Sequence, residues 1–394
     1  MSRRSTGGIV LLISGAFVTG TLAACTPPMP PDVLAARAEA QIVCQPGSVD
    51  VSVPEIFAGA MTTVGEALTS VCPDQTVVEV APTDPAPVAL IDTAPDAAAL
   101  SAFAQERCEG SPALAIPAFA YPVSLAYNVI GVEGLVITPE AMAGILDGTL
   151  TSFEDPLITE ANAGYDLSGL PPITLLGLEG PQGAVQAMTA WLSQEGPTTW
   201  TSGVVGQLPV ATPVATTTDL LGELTAVEGT AAILPAFTAA NNVIPTVAVP
   251  IKGTDANGVE FDTVVTSEDV QLKKVGSGAT TVTEDAAGNL LVGPAVGGVP
   301  NPEVFDLIAS KIVLAEDQPL VGWPVLGYAH LLVCDSPTNP RPLAFAQYLV
   351  RLAGQGALES YGATPLPEPI RVKTFLPLRV TVATDAPSLS SSPS

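Results

Sequence analysis

The chain has 394 residues, of which 47% are hydrophobic and only 13% are charged, a composition that folds and a length that suggests two lobes or domains. Its 39 acidic side chains outnumber its 13 basic ones and give a net charge of −26. Binding nucleic acid requires clustered lysine and arginine, so this balance argues against a nucleic acid partner. It also repels anions at long range, so an anionic ligand would need strong local donors.

Residues 1–24 have the pattern of a bacterial lipoprotein signal peptide. Two arginines precede an apolar stretch, Ile9–Val18, and the four residues LAAC ending at Cys25 match a lipobox. We therefore predict that Cys25 is lipidated and anchors the protein to the extracytoplasmic face of the cell membrane, with residues 25–43 as a proline-rich spacer. An uncleaved anchor helix is less favoured, because the apolar stretch is short for a membrane span.

Four cysteines remain once Cys25 is assigned to lipid, an even number that favours two disulfides in an oxidising compartment. They are Cys44, Cys72, Cys108 and Cys334. Three pairings are possible, and the sequence does not choose among them. A zinc site is the rival interpretation, but the chain has no CxxC motif and a single histidine. We therefore expect no metal site and no cofactor.

The residues after the spacer alternate between strand and helix patterns. The predicted elements are a helix over Pro54–Ser70, strands over Thr76–Val80 and Ala89–Ile91, a helix over Asp96–Arg107 and a strand over Pro112–Phe119. This alternation is typical of an α/β fold with mixed sheets and helices on both faces.

The stretch from Tyr121 to Pro156 organises the rest of the chain. Its apolar run Val123–Val129 is long enough for one buried strand. Thr138 then provides a cap, followed by proline and glutamate at the start of a helix that ends near Gly148.

This stretch carries a resemblance to a known family. The series LAYNV, ITPE and AGILDGTLTSFEDP, followed by LPPIT, looks like the centre of the phosphate-binding proteins of bacterial ABC transporters. A second block, Gly322–Val325 (GWPV) and Tyr361–Pro367 (YGATPLP), follows in the family's order. The resemblance implies the type II periplasmic-binding-protein fold, in which two lobes are joined by crossing segments.

The resemblance also implies the division of the chain. Lobe 1 is predicted to comprise residues 44–125 and 323–383, lobe 2 residues 126–322, and a Ser/Pro-rich tail, residues 384–394, is predicted to be disordered. The remaining predicted elements are strands over Ile173–Leu176, Gly229–Leu234 and Leu331–Cys334, helices over Ala184–Leu192, Leu220–Val227, Glu303–Ile312 and Leu343–Gly354, and hairpins within Val243–Thr266 and Thr280–Val292.

The candidate ligand-binding residues follow from matching the family's loops. The resemblance places Ser52, Asp92 and Thr93 on the lobe 1 side, and Gln182 and Gly183 on the lobe 2 side. Ser52 and Asp92 also have plain alternative roles, as caps of the helices predicted to begin at Pro54 and Asp96.

The match is incomplete in the loop before the helix predicted to begin at Ala184. Leu178 stands where the family has an arginine, Ala184 where it has a threonine, and the acidic Glu179 lies between them. Because a hydrogen bond to a charged group contributes about 1.5–3 kcal/mol, these replacements predict weak or altered ligand binding.

Two functions are compatible with these observations. The first is an extracytoplasmic solute-binding lipoprotein that captures a small anion such as phosphate, or another small solute, for an ABC permease. The alternative is a degenerate binding-protein fold that serves as a cell-envelope scaffold or accessory protein without solute transport. We expect no enzymatic activity: His330 lies in an apolar strand, and no serine or cysteine has a recognisable base beside it.

Overall fold

The computed structural model describes residues 39–195, 198–254, 260–267, 280–284, 290–294, 323–366 and 368–380. The predicted signal peptide with Cys25, most of the predicted spacer, the predicted helix Glu303–Ile312 and the predicted tail lie outside the described residues.

The described part of the chain contains twelve strands. They are β1 (Gly47–Ser52), β2 (Gln75–Val80), β3 (Val88–Ile91), β4 (Ala113–Tyr127), β5 (Thr174–Leu178), β6 (Thr212–Val214), β7 (Thr230–Pro235), β8 (Val249–Thr254), β9 (Glu260–Val265), β10 (Thr280–Glu284), β11 (Leu290–Pro294) and β12 (Leu326–Cys334). The last four before β12 form two antiparallel hairpins, as predicted within Val243–Thr266 and Thr280–Val292.

Ten α-helices are described with these strands. They are α1 (Ala60–Val71), α2 (Ala97–Arg107), α3 (Pro139–Asp147), α4 (Pro156–Thr159), α5 (Gly183–Glu195), α6 (Thr217–Ala226), α7 (Ala236–Asn241), α8 (Arg341–Leu349), α9 (Leu352–Tyr361) and α10 (Glu368–Lys373). None of the helices in the described ranges is long and apolar enough to cross a bilayer.

Eight strands form one mixed sheet in the order β2-β1-β3-β12-β4-β7-β5-β6. Strands β1, β2 and β3 are parallel, as are β5, β6 and β7, whereas β4 runs antiparallel to both β12 and β7. The strands predicted for lobe 1 therefore lie at one end of the sheet and those predicted for lobe 2 at the other. The mixed α/β class is confirmed.

Strand β4 connects the two ends and departs from the prediction. The sequence predicts two strands, Pro112–Phe119 and Val123–Val129, but the chain forms one continuous strand of 15 residues that is almost entirely buried. Proline cannot donate to a ladder, and Pro117 lies where the pairing with β12 shifts by a bulge. The bulge accommodates Pro117 within the strand, and Pro122, in the interval between the two predicted strands, is aligned with Leu326 of β12.

Two predicted helices differ in extent. The helix predicted from Pro54 begins only at Ala60, because Glu55–Phe57 forms a separate 3₁₀ turn and Gly59 takes a left-handed conformation with φ 89°. The helix predicted over Leu343–Gly354 is two helices, α8 and α9. Arg351, between them, is extended, and the carboxylate of Glu39 accepts the Leu352 N–H at 2.9 Å.

Other local predictions are confirmed. The hydroxyl of Thr138 accepts the Ala141 N–H at 3.1 Å, and Gly148 ends α3 with φ 79°. Two disulfides are present, as predicted, and they join Cys44 to Cys72 and Cys108 to Cys334.

Candidate functional site

The predicted site residues of lobe 1 lie at the carboxyl ends of neighbouring parallel strands. Ser52 is the last residue of β1, is 4% exposed and is aligned with Ala89 of β3. Asp92 and Thr93 directly follow β3 and are half-buried. In open α/β sheets, ligands bind outside the carboxyl ends of the strands. The position of these side chains is therefore suitable for binding.

The structure brings Asp92 into direct contact with Gly183, the first residue of α5. The Gly183 N–H donates to Oδ2 of Asp92 at 2.8 Å, across 91 residues of sequence. The two backbones are also close, because a Cβ on Gly183 would lie 1.8 Å from the Asp92 carbonyl oxygen. Tyr121 donates its hydroxyl to the same carbonyl at 3.4 Å. Two residues predicted on opposite lobes thus meet at one point.

The electrostatics of this contact depend on burial. Burial raises the pKa of Asp92 above its ordinary value of 3.8, and the hydrogen bond from Gly183 opposes this rise without cancelling it. Burial, and then the negative charge of Asp92, raise the pKa of Tyr121 well above its usual range, so this hydroxyl stays a donor. Among the described residues, no arginine or lysine forms an ion pair with Asp92.

The side chain of Gln182 does not join the contact between Asp92 and Gly183. Its side-chain amide donates to the carbonyl of Gly180 at 2.8 Å, within its own loop. It also lines a small cavity of about 30 Å³ next to Leu178, large enough for one or two water molecules. The structure therefore gives Gln182 a local role in holding the loop, while its predicted role in binding a ligand stays a prediction.

Two carboxylates outside the predicted site lie in the same region. Glu55 accepts the Thr217 N–H through Oε2 at 3.0 Å and the Thr218 hydroxyl through Oε1. Glu79 accepts the N–H groups of Gly59 and Thr62, both at 2.8 Å. Each acid thus caps the start of a helix, α6 and α1 respectively, where N–H groups have no partner within the helix. No local sequence signal identifies these caps, because donor and acceptor are far apart in sequence.

Aromatic side chains fill the space next to these caps. Phe237 of α7 is 6% exposed, and its ring centroid lies 5.0 Å from that of Tyr361, 6.1 Å from Phe57 and 6.4 Å from Tyr121. Phe57 in turn lies edge-on to Tyr121 at 5.2 Å. Such pairs contribute about 0.5–1.5 kcal/mol each beyond the area they bury. The cluster joins a helix of predicted lobe 2 to three elements of predicted lobe 1.

Comparison with known proteins supports the resemblance. No family model matches the chain. The phosphate-binding protein PstS2 of Mycobacterium bovis (strain BCG / Pasteur 1173P2) is 26% identical over 274 residues, which are 68% of this chain and 67% of that protein. This chain is similar to a phosphate-binding protein. The aligned part spans about two thirds of the relative's length.

Solved structures agree on the fold. A high affinity periplasmic phosphate-binding protein bound with phosphate has a TM-score of 0.53 at 15% identity, covering 84% of this chain and 93% of its own. An ancestral soluble variant of the human phosphate binding protein has a TM-score of 0.54 at 16% identity, with the same coverage. The predicted type II periplasmic-binding-protein fold is confirmed.

Proposed function

We propose that this chain is an extracytoplasmic solute-binding protein similar to the phosphate-binding component of an ABC importer. The observation that carries the proposal is the similarity to a phosphate-binding protein over 274 residues. The contact between Asp92 and Gly183 also brings together two predicted ligand-binding residues from different halves of the sheet. The alternative, a scaffold that binds no solute, is not favoured by these relatives, which are named for binding phosphate.

The proposed ligand is phosphate or another small solute, bound with lower affinity than a full donor set would give. Leu178 ends β5 where the resemblance calls for arginine, and the nearby Glu179 adds negative charge. A backbone N–H at a helix start is a suitable anion donor, but the one at Gly183 already serves Asp92. Any anion at this position must therefore compete with a carboxylate of the protein itself.

Titration calorimetry with phosphate-stripped protein at near-physiological salt tests this function. A dissociation constant of about 1 µM or tighter, corresponding to about −8 kcal/mol, supports phosphate as the ligand, and Asp92→Asn should tighten it further, because the Asp92 carboxylate competes with the anion for the Gly183 N–H. Asp96→Asn is the matched control, because Asp96 is an exposed acid that caps α2 four residues further along. Leu178→Arg should tighten binding roughly tenfold or more by restoring a charged donor. No heat up to millimolar phosphate would remove phosphate as the ligand.

The proposed location rests on Cys25 and its lipobox. A lipidated Cys25 would hold the protein at the extracytoplasmic face of the membrane, where an ABC permease is the partner that the resemblance implies. Mass spectrometry of the mature N-terminal peptide tests this. A diacylglyceryl group on Cys25 supports the anchor, and an unmodified or uncleaved N-terminus would refute it.

A further inference from the structure

Three separate contacts join lobe 1 directly to lobe 2, and each is made by the protein's own side chains. The first is the insertion of Phe237 among Phe57, Tyr121 and Tyr361. Gly362 leaves room for it, since a Cβ there would lie 3.0 Å from the Cβ of Phe237. An aromatic side chain of lobe 2 therefore packs into a cavity lined by aromatic side chains of lobe 1.

The second and third contacts use helix starts of lobe 2 and carboxylates of lobe 1. Asp92 accepts the Gly183 N–H of α5, and Glu55 accepts the Thr217 N–H of α6. Next to Glu55, the hydroxyl of Thr238 donates to the Ile56 carbonyl at 3.3 Å. Helix starts attract anions through their unpaired N–H groups and their dipole. Here the attracted anions belong to the protein.

From these contacts we propose that lobes 1 and 2 close on each other without a ligand, because Phe237, Asp92 and Glu55 occupy the positions between them. A two-lobed binding protein that depends on its ligand for closure needs that ligand to bridge the lobes. In this chain the bridging groups touch directly, and a solute placed between the same pairs would have to displace them. The inference does not depend on which solute, if any, is bound.

Residue-resolved hydrogen exchange on phosphate-stripped protein tests the proposal. The amides of Gly183 and Thr217 are bonded only across the lobes, because helix-start N–H groups lack an intrahelical partner. In the ligand-free wild type both amides should exchange about tenfold or more slowly than unprotected amides. The amides of Gly59 and Thr62 provide an internal control, since Glu79 holds them by the same type of bond within lobe 1.

Variants separate closure from general stability. Glu55→Ala, at an exposed position, should raise exchange at Thr217 and, because the lobes open as a unit, at Gly183 as well. Phe237→Ala should also raise exchange at Thr217 and Gly183, because it removes the ring that packs among the aromatic side chains of lobe 1. Glu79→Ala should raise exchange only at Gly59 and Thr62. If the double variant Glu55→Ala/Phe237→Ala leaves Gly183 protected without phosphate, these contacts do not hold the lobes together and the proposal fails.

The result also distinguishes this proposal from the proposed function. Rapid exchange of Gly183 and Thr217 in phosphate-free protein, followed by protection when inorganic phosphate is added, would overturn self-closure and support phosphate binding. Protection without phosphate, unchanged by its addition, would support self-closure even where calorimetry finds no binding.

Discussion

The contact between Gly183 and Asp92 predicts an unusual response to a methyl group. Replacing glycine by alanine in a helix normally stabilises the fold by up to about 1 kcal/mol. In Gly183→Ala, however, the new Cβ would lie 1.8 Å from the Asp92 carbonyl oxygen, about 1.6 Å short of the 3.4 Å of ordinary contact. The two backbones must separate, which moves the Gly183 N–H away from the Asp92 side chain and breaks the 2.8 Å hydrogen bond to its Oδ2. Loss of a hydrogen bond to a charged group costs about 1.5–3 kcal/mol, so we expect a net destabilisation of roughly 2 kcal/mol.

Gly222→Ala is the matched control for this prediction. Gly222 lies in helix α6, is exposed, and has nothing within 4 Å of the position of an added Cβ. The control should therefore gain up to about 1 kcal/mol from helix propensity. Chemical denaturation of both variants with the disulfides intact gives the two free energies of unfolding. If Gly183→Ala is as stable as Gly222→Ala, the two backbones do not approach each other as described.

Two further predictions concern the disulfides and pH. Removing the Cys108–Cys334 bridge by paired alanine substitutions should lower the free energy of unfolding by about 5 kcal/mol, against about 3.5 kcal/mol for Cys44–Cys72. The difference arises because the two bridges close loops of 226 and 28 residues. Equal losses on chemical denaturation would contradict this loop-length argument. Burial raises the pKa of Asp92 above 3.8, so the folded chain binds this proton more tightly than the unfolded chain. The resulting stability is present below pH 3.8 and is lost as pH rises through the raised pKa. Unfolding free energies measured against pH should show this loss in the wild type but not in Asp92→Asn. Parallel pH profiles for the two proteins would refute the contribution of Asp92.

Features that local chemistry controls could be predicted from the sequence. Thr138 caps the helix that follows it, as predicted, with a donor three residues along the chain. Helix α2 is capped by Asp96 and not by Asp92, its predicted alternative cap. The central segment also carried enough family-like sequence to predict the fold. Strand β4 was the exception, because proline-containing runs suggest breaks, whereas pairing with β12 and β7 makes one strand of them.

The contacts between the two predicted lobes could be predicted only in part. The resemblance placed Asp92 and Gly183 in one site, but as two ligand-binding residues rather than as partners of each other. Glu55 and Thr217 are 162 residues apart, and nothing in either local sequence indicates the other. Phe237 lies in an apolar segment that fits a core helix equally well. Such contacts arise from how two ends of one sheet fold towards each other, which short patterns do not encode.

The acidic composition and the altered site have a common physical basis. With three acids for every base, most carboxylates cannot find a cationic side chain, and helix N-termini serve instead. Besides Asp92 and Glu55, the caps include Glu79 on α1 and Glu39 on α9, and Glu39 also forms an ion pair with Arg371. A helix start that donates to an internal carboxylate has fewer N–H donors for a free anion. The affinity of any anion at Gly183 therefore depends on the difference in free energy between its own hydrogen bond to this N–H and the bond that Asp92 makes. Leucine in place of the family's arginine removes a donor to the anion, so it favours the bond to Asp92 further.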